Sequence, residues 1–458
     1  MSALQKSLHS DEKYKAGKLG QALQKIGVGI AVVCLGFSLV YTLLSDPEPA
    51  RVAGHFDPAT NVGDRWSRFL HAYVIGWSYI FSICVGVFFL VLLHHLSRGR
   101  WATAVRRIAE AMSMAFPIVF ASGLVFVIAL LAGYKDLYYW AHPDAALCLE
   151  PAAGAACHEF LHPTLVHKLG WLSPGFFAVR YVIYAVAYTG MAAYFIKKSR
   201  EQDESGDPQL SEKLRIASAP AMIVYSLVTC FAAFDILMSL APQWYSTIYG
   251  VNFWGSACVG GFAALALMVL GIQRTGRLTH SINPEHYHDI GKWMFAFTFF
   301  WAYTAFSQFM LQWYGNLPEE TVWYKYRLFG EWQWVSIAML VGFFAFPFVF
   351  LMSRWTKRIV PSLVFFAVWQ LVFHWLDLYW NAMPSYDWHV AHHGAATMVA
   401  GPLSGSTAYH HVGFSPVDIS VWFGLIGVLL VGFGRNLKGN LIPVKDPTLG
   451  LSLAHENL

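Results

Sequence analysis

The sequence predicts an all-α integral membrane protein of about ten transmembrane helices, with both termini on the inner side, and three observations carry that prediction. The 458 residues are 56% hydrophobic and only 13% charged, about half the charged fraction of an ordinary soluble domain. The apolar residues gather into runs of roughly 20, long enough to cross a hydrocarbon core. Lysine and arginine alternate between dense and sparse from one connection to the next, as in a chain threaded back and forth through a bilayer. Such a composition excludes a soluble globular domain, which would expose too much apolar surface to water. The net charge of +4 comes without a basic run interleaved with aromatics, which excludes a nucleic-acid surface.

The first 25 residues are too polar and too mixed in charge for a secretory signal. Residues 1–25 therefore read as an inner tail, and the first apolar run, 26–45, as a retained anchor. Further spans fall at 70–96, 113–134, 174–196, 218–241, 251–272, 290–315, 332–352, 359–382 and 417–434, with Pro117 and Pro347 marking kinks. The N-terminus, the connections 97–112, 197–217, 273–289 and 353–358, and the tail 435–458 hold 22 Lys and Arg, against 7 in the alternate connections. The positive-inside rule places the first set in the cytoplasm. The charged stretch 197–217 reads as an inner hinge.

Six cysteines include no C-x-x-C and no cluster with histidine, so neither zinc nor an iron–sulfur cluster has a ligand set. Cys148 and Cys157 lie nine positions apart in the outer loop 135–173, on the oxidising face where a disulfide is expected. Cys34, Cys84, Cys230 and Cys258 fall within helices and are expected to be reduced packing residues. The outer loop 383–416 carries His389, His392, His393, His410 and His411. It reads as a polar loop packed against a partner, with a metal site as the other reading.

An ionisable group in mid-bilayer costs about 2.5–3.5 kcal/mol on insertion scales, so each one must be paired, wet or useful. Arg180, Asp235 and Asp377 fall at similar depth, each six or seven residues from a proline at the outer end of its helix. Arg180 is therefore expected to pair with one or both carboxylates, and a carboxyl left without it to hold its proton. Gln370, His374, Asp377 and Asn381 follow i, i+4, i+7, i+11 and share one face of the ninth helix, a polar stripe of roughly 16 Å. Such a stripe can relay protons, since histidine titrates near neutral pH, and its inner half lacks a comparable group. Thr304, Gln308 and Gln312 form a second stripe, and Arg180, Tyr184 and Tyr188 a third; for the glutamines and tyrosines interhelical hydrogen bonding is the favoured reading and a place in the polar path the alternative, whereas Asp235, Asp377 and His374 read as functional.

The fifth and ninth helices echo each other. Phe234-Asp235-Ile236 to Pro242-Gln243-Trp244 aligns without a gap on Leu376-Asp377-Leu378 to Pro384-Ser385-Tyr386. The echo predicts two four-helix bundles, 70–241 and 251–382, running in the same direction as parallel repeats. Haem is not expected, because His71 and His94/His95 stand at opposite ends of one helix and His374 has no partner at its level.

The segments Asp235-Ile-Leu-Met-Ser-Leu-Ala-Pro-Gln-Trp-Tyr-Ser-Thr-Ile-Tyr-Gly250, Trp293-Met-Phe-Ala-Phe, Trp301-Ala-Tyr, Phe306-Ser-Gln-Phe and Gln312-Trp-Tyr-Gly-Asn-Leu-Pro-Glu-Glu320, with Leu376-Asp377-Leu-Tyr-Trp and Met383-Pro384, resemble the ActF-type membrane subunits of bacterial alternative complex III, an NrfD/PsrC-like family. The related ActC-type subunits have a Gly-Trp-His pattern where this chain has Pro242-Gln243-Trp244. The resemblance implies a fold of two four-helix bundles in the bacterial cytoplasmic membrane and a place in a respiratory electron-transport complex. That complex oxidises menaquinol or another quinol. Haem c and iron–sulfur clusters would lie in partner subunits, with no redox cofactor bound directly here. The implied partners are an ActC-like membrane subunit, multihaem and iron–sulfur subunits, a terminal oxidase and lipids. The family pattern usually has His after the motif proline and an aromatic after the motif Asp; Gln243 and Ile236 stand there instead, which weakens any role resting on that histidine.

The expected function is a cofactor-free membrane subunit of a quinol:electron acceptor (cytochrome c-type) oxidoreductase. Asp235, Asp377, His374, Gln370, Asn381, Arg180, Gln308 and Gln312 would form its proton path. The alternatives are a secondary transporter, disfavoured because no apolar segment is split into half-helices, and a purely structural anchor for peripheral redox subunits.

Overall fold

A computed structural model describes residues 12–45, 65–134, 137–141, 167–392 and 413–456. Ten of its helices are long and apolar enough to cross a membrane: α1 (Leu19–Leu44), α2 (Trp66–Ser97), α3 (Arg100–Leu131), α4 (Pro174–Ser205), α5 (Gln209–Leu240), α6 (Tyr249–Arg274), α7 (Pro284–Gly315), α8 (Trp332–Met352), α9 (Val360–Tyr386) and α10 (Pro416–Asn436). The described residues contain no strand. The protein is thus an all-α, multi-pass membrane protein.

Several helices run past their apolar windows at the inner face, because polar turns continue them. α4 reaches Ser205 and α5 begins at Gln209, so the charged stretch 197–217 is no hinge. It is a helical hairpin whose turn uses Gly206 at φ 71°, the left-handed cap that glycine adopts readily, and Arg107 holds it through Asp203 at 2.8 Å. α3 has two parts: Thr103–Ser113 is a buried charged helix at the inner face, and the apolar part is Phe116–Leu131 with Pro117 in its first turn. In α8, Pro347 follows a π-helical stretch, Met339–Ala345, a local widening that commonly accompanies a bend. α9 does not stop near 382; its helix passes through Pro384 to His392, as membrane helices tolerate.

The disulfide expected between Cys148 and Cys157 lies outside the described residues, as do His393, His410 and His411. Cys34, Cys84, Cys230 and Cys258 carry free thiols inside helices.

The packing repeats itself. α2 packs on α3 and α5 as α6 packs on α7 and α9, α3 meets α4 as α7 meets α8, and α4 meets α5 as α8 meets α9. The two bundles join where α2 crosses α6, with α5 on α6 and α9 on α2. The crossing is close enough that a Cβ on Gly86 would come within 2.0 Å of the Ala257 carbonyl oxygen. α1 stands outside both bundles against α10. There Gly20 faces Gly434 and Gly27 faces Gly427, the small-residue contact that lets membrane helices approach. Apolar side chains such as Val33, Leu44, Ile128 and Val186 remain exposed on the outer helices and face the lipid.

The inner face is sealed by the C-terminal tail. Asp446 accepts from Arg106 at 2.8 Å, Thr448 bonds Thr103 at 2.9 Å, and Ser452 donates to the Trp101 carbonyl at 2.8 Å. Burial alone would push the Asp446 carboxyl up, but Arg106 and Thr448 hold it below its ordinary value.

Candidate functional site

The repeat places its two aspartates in opposite electrostatic circumstances. Asp235, on α5, receives Arg180 Nε at 2.6 Å and Nη2 at 3.0 Å, the Trp171 indole N–H at 2.8 Å and the Tyr184 hydroxyl at 2.5 Å. The guanidinium is itself stacked 4.3 Å from the Trp171 ring centre. Four donors thus converge on the two oxygens of this carboxylate and engage its lone pairs. Arg180 therefore meets one aspartate of the two.

Asp377, on α9, has no ion-pair partner among the described residues and is 3% exposed. Its Oδ2 lies 2.6 Å from Ser256 Oγ, and its Oδ1 accepts from Asn381 Nδ2 at 3.2 Å. Ser256 Oγ is also 2.8 Å from His374 Nδ1, and Ser82 Oγ is 2.7 Å from His374 Nε2. Ser82 lies as well 2.8 Å from the Tyr79 carbonyl, to which it can donate. Three helices, α2, α6 and α9, thus assemble one chain in the bilayer interior: Asp377, Ser256, His374, Ser82.

Counting donors and acceptors assigns the protons. In one arrangement Asp377 is protonated and donates to Ser256. Ser256 then donates to His374 Nδ1, His374 Nε2–H donates to Ser82, and Ser82 donates to the Tyr79 carbonyl. In the other, Asp377 is ionised and both hydroxyls have turned. Ser256 donates to Asp377, His374 Nδ1–H donates to Ser256, and Ser82 donates to Nε2. Every link is satisfied in both, and they differ by one proton. Passing from the first to the second moves a proton along every link, from Asp377 to Ser256, from Ser256 to His374 Nδ1 and from His374 Nε2 to Ser82, so the imidazole changes tautomer and the proton of Ser82 leaves to water beyond the chain. The chain is not a nucleophilic triad, since a serine separates the imidazole from the carboxylate and the whole group is sealed in the core.

The seat of the imidazole is a glycine contact. A Cβ on Gly260 would stand 2.6 Å from His374 Cδ2, so only glycine lets the ring lie between the two serines.

The other expected path residues lie elsewhere. Gln370 shares the His374 face, yet its amide donates to Thr298 Oγ1 on α7 at 2.5 Å, and its Oε1 is buried without a partner. The stripe is broken between Gln370 and His374. Gln308 accepts from Ser246 at 3.2 Å and donates to the Tyr324 hydroxyl at 3.1 Å, while Gln312 accepts from the Trp244 indole at 3.0 Å. These two fasten the outer segment 240–252 and the helix Pro318–Leu328 to α7 and do not join the Asp377 chain. Tyr188 pairs with Thr229 at 2.5 Å, a contact within the first bundle.

Ser82 and Ser256 carry no charge to mark them in the sequence, but a second internal echo does: Ser82-Ile-Cys-Val-Gly-Val-Phe88 and Ser256-Ala-Cys-Val-Gly-Gly-Phe262. They are equivalent positions of α2 and α6, brought to opposite nitrogens of one imidazole where the two bundles meet.

Comparison of the chain with protein-family models and with curated proteins finds no match.

Proposed function

We propose that this chain is a proton-transferring membrane subunit of a respiratory quinol:electron acceptor oxidoreductase of the alternative complex III type. The observation that carries the proton role is the Asp377–Ser256–His374–Ser82 chain, whose carboxyl has no cation beside it among the described residues while its repeat equivalent, Asp235, has one. The resemblance of the 235–250 and 312–320 segments supports the assignment to a quinol-oxidising complex. In this reading Asp377 holds the exchangeable proton, His374 relays it from Ser256 on Nδ1 to Ser82 on Nε2, and Asn381 orients the outer oxygen of the carboxyl. Asp235 and Arg180 hold the first bundle together. The broken link at Gln370 makes the outer side the open end of the route, and water must complete the inner one.

Removing the hydroxyl that joins the carboxyl to the imidazole tests this reading. Ser256→Ala is expected to slow proton-coupled quinol oxidation by about 10- to 100-fold in the assembled complex reconstituted into vesicles, with subunit content unchanged. Wild-type turnover and proton release in that variant would refute the relay. Purification in mild detergent tests the assembly itself: co-isolation of multihaem and iron–sulfur polypeptides is expected, and a stable lone protein would favour a transporter.

A further inference from the structure

Among the described residues, the buried arginines are neutralised by carboxylates, with one exception. Arg106 pairs with Asp446 at 2.8 Å, Arg107 with Asp203 at 2.8 Å and Arg180 with Asp235 at 2.6 Å. Arg327 is 2% exposed and has no carboxylate partner among the described residues. Its guanidinium lies 3.6 Å from the Trp323 ring centre. Nε donates to the Trp380 carbonyl at 3.1 Å, Nη1 to the Trp323 carbonyl at 2.8 Å and Nη2 to the Asn381 carbonyl at 2.8 Å. A guanidinium has five N–H groups, so one remains on each terminal nitrogen. Burial pushes this guanidinium down to about 9, which shows how poorly its surroundings compensate the charge.

Arg327 lines a cavity of about 270 Å³ at the outer ends of α5 and α9. The cavity lies between the two aspartate-to-proline segments of the repeat and the helix Pro318–Leu328. Gln243 and Ser385 supply further polar groups, and Pro242, Trp323 and Pro384 supply apolar wall. A desolvated cation with two N–H groups to spare, beside an amide and a hydroxyl, calls for an acceptor-rich anion, and the end-on fork of arginine matches phosphate oxygens.

We propose that this cavity binds a phosphate-class anion on Arg327, with Gln243 and Ser385 beside it. A phospholipid headgroup and free inorganic phosphate present the same oxygens; the apolar wall and the position at the membrane edge suit the lipid. The site is independent of the proton relay, and its test does not depend on quinol oxidation.

The full-length protein, stripped of lipid by detergent exchange, is titrated with dioleoylphosphatidylglycerol in mixed micelles and separately with inorganic phosphate, and bound ligand is counted by native mass spectrometry and phosphorus analysis. Saturable binding is expected in the wild type. Arg327→Lys, which keeps the charge and loses the fork, should weaken it about tenfold, and Ser385→Ala should weaken it less. Binding of phosphatidylglycerol that phosphate does not displace assigns the lipid, whereas displacement by phosphate assigns the free anion. Equal binding by wild type and both variants would overturn the proposal, as would a wild type that binds neither probe.

Discussion

Asp377→Asn is expected to lower proton-coupled turnover of the assembled complex by about 100-fold or more, the scale of a lost acid–base group, while leaving assembly intact. Asparagine keeps the size of the side chain and can still bond Ser256 on α6 and Asn381 on α9. What it lacks is a proton that leaves and returns at neutral pH. Because His374 Nδ1 is reached only through the Ser256 hydroxyl, at 2.8 Å, no other carboxyl among the described residues can take over that position. His374→Phe should give the same loss by removing the acceptor. Subunit stoichiometry and haem content of the purified complex serve as the control, and both should match wild type.

Asp235→Asn is expected to do the reverse. It leaves the Arg180 guanidinium, 4% exposed, without its counter-charge, and breaking a buried ion pair from one side destabilises by about 3–5 kcal/mol. The complex should be recovered in low yield, with a lowered melting temperature, yet turn over at a near-normal rate per assembled unit. A double substitution, Arg180→Met with Asp235→Leu, should restore much of the stability, since replacing both charges by apolar groups removes the desolvation penalty with the attraction. Thermal unfolding of the three purified variants checks this. If Asp235→Asn instead assembles normally but is inactive, Asp235 belongs to the proton route.

The ten spans were legible because membrane crossing is set by length and apolarity, which are local properties of the sequence. Their inner ends were not, because polar turns such as 197–205 and 209–217 extend a helix without extending the apolar window. Depth alone brought Arg180 and Asp235 together, since both were counted from a proline at a helix end. Helical phase put Gln370 and His374 on one face, but phase does not choose hydrogen-bond partners, and Thr298 on a neighbouring helix took the glutamine amide. The serines were the larger omission. A hydroxyl costs little in a bilayer and so raises no alarm, and only the repeated Ser-x-Cys-Val-Gly-x-Phe marks the pair. Arg327 lay outside every span, and its burial follows from how the helix Pro318–Leu328 folds over α9, which no local pattern foretells.

The central claim is that Asp377 holds a proton that it can release, whereas Asp235 is held by Arg180. Infrared difference spectroscopy of the complex, recorded between its quinol-reduced and oxidised states, measures this directly through the carbonyl stretch of a protonated carboxyl. The account predicts such a band, shifted in heavy water, present in wild type, absent in Asp377→Asn and retained in Asp235→Asn. A band that survives Asp377→Asn unchanged, or one that vanishes only in Asp235→Asn, would contradict it.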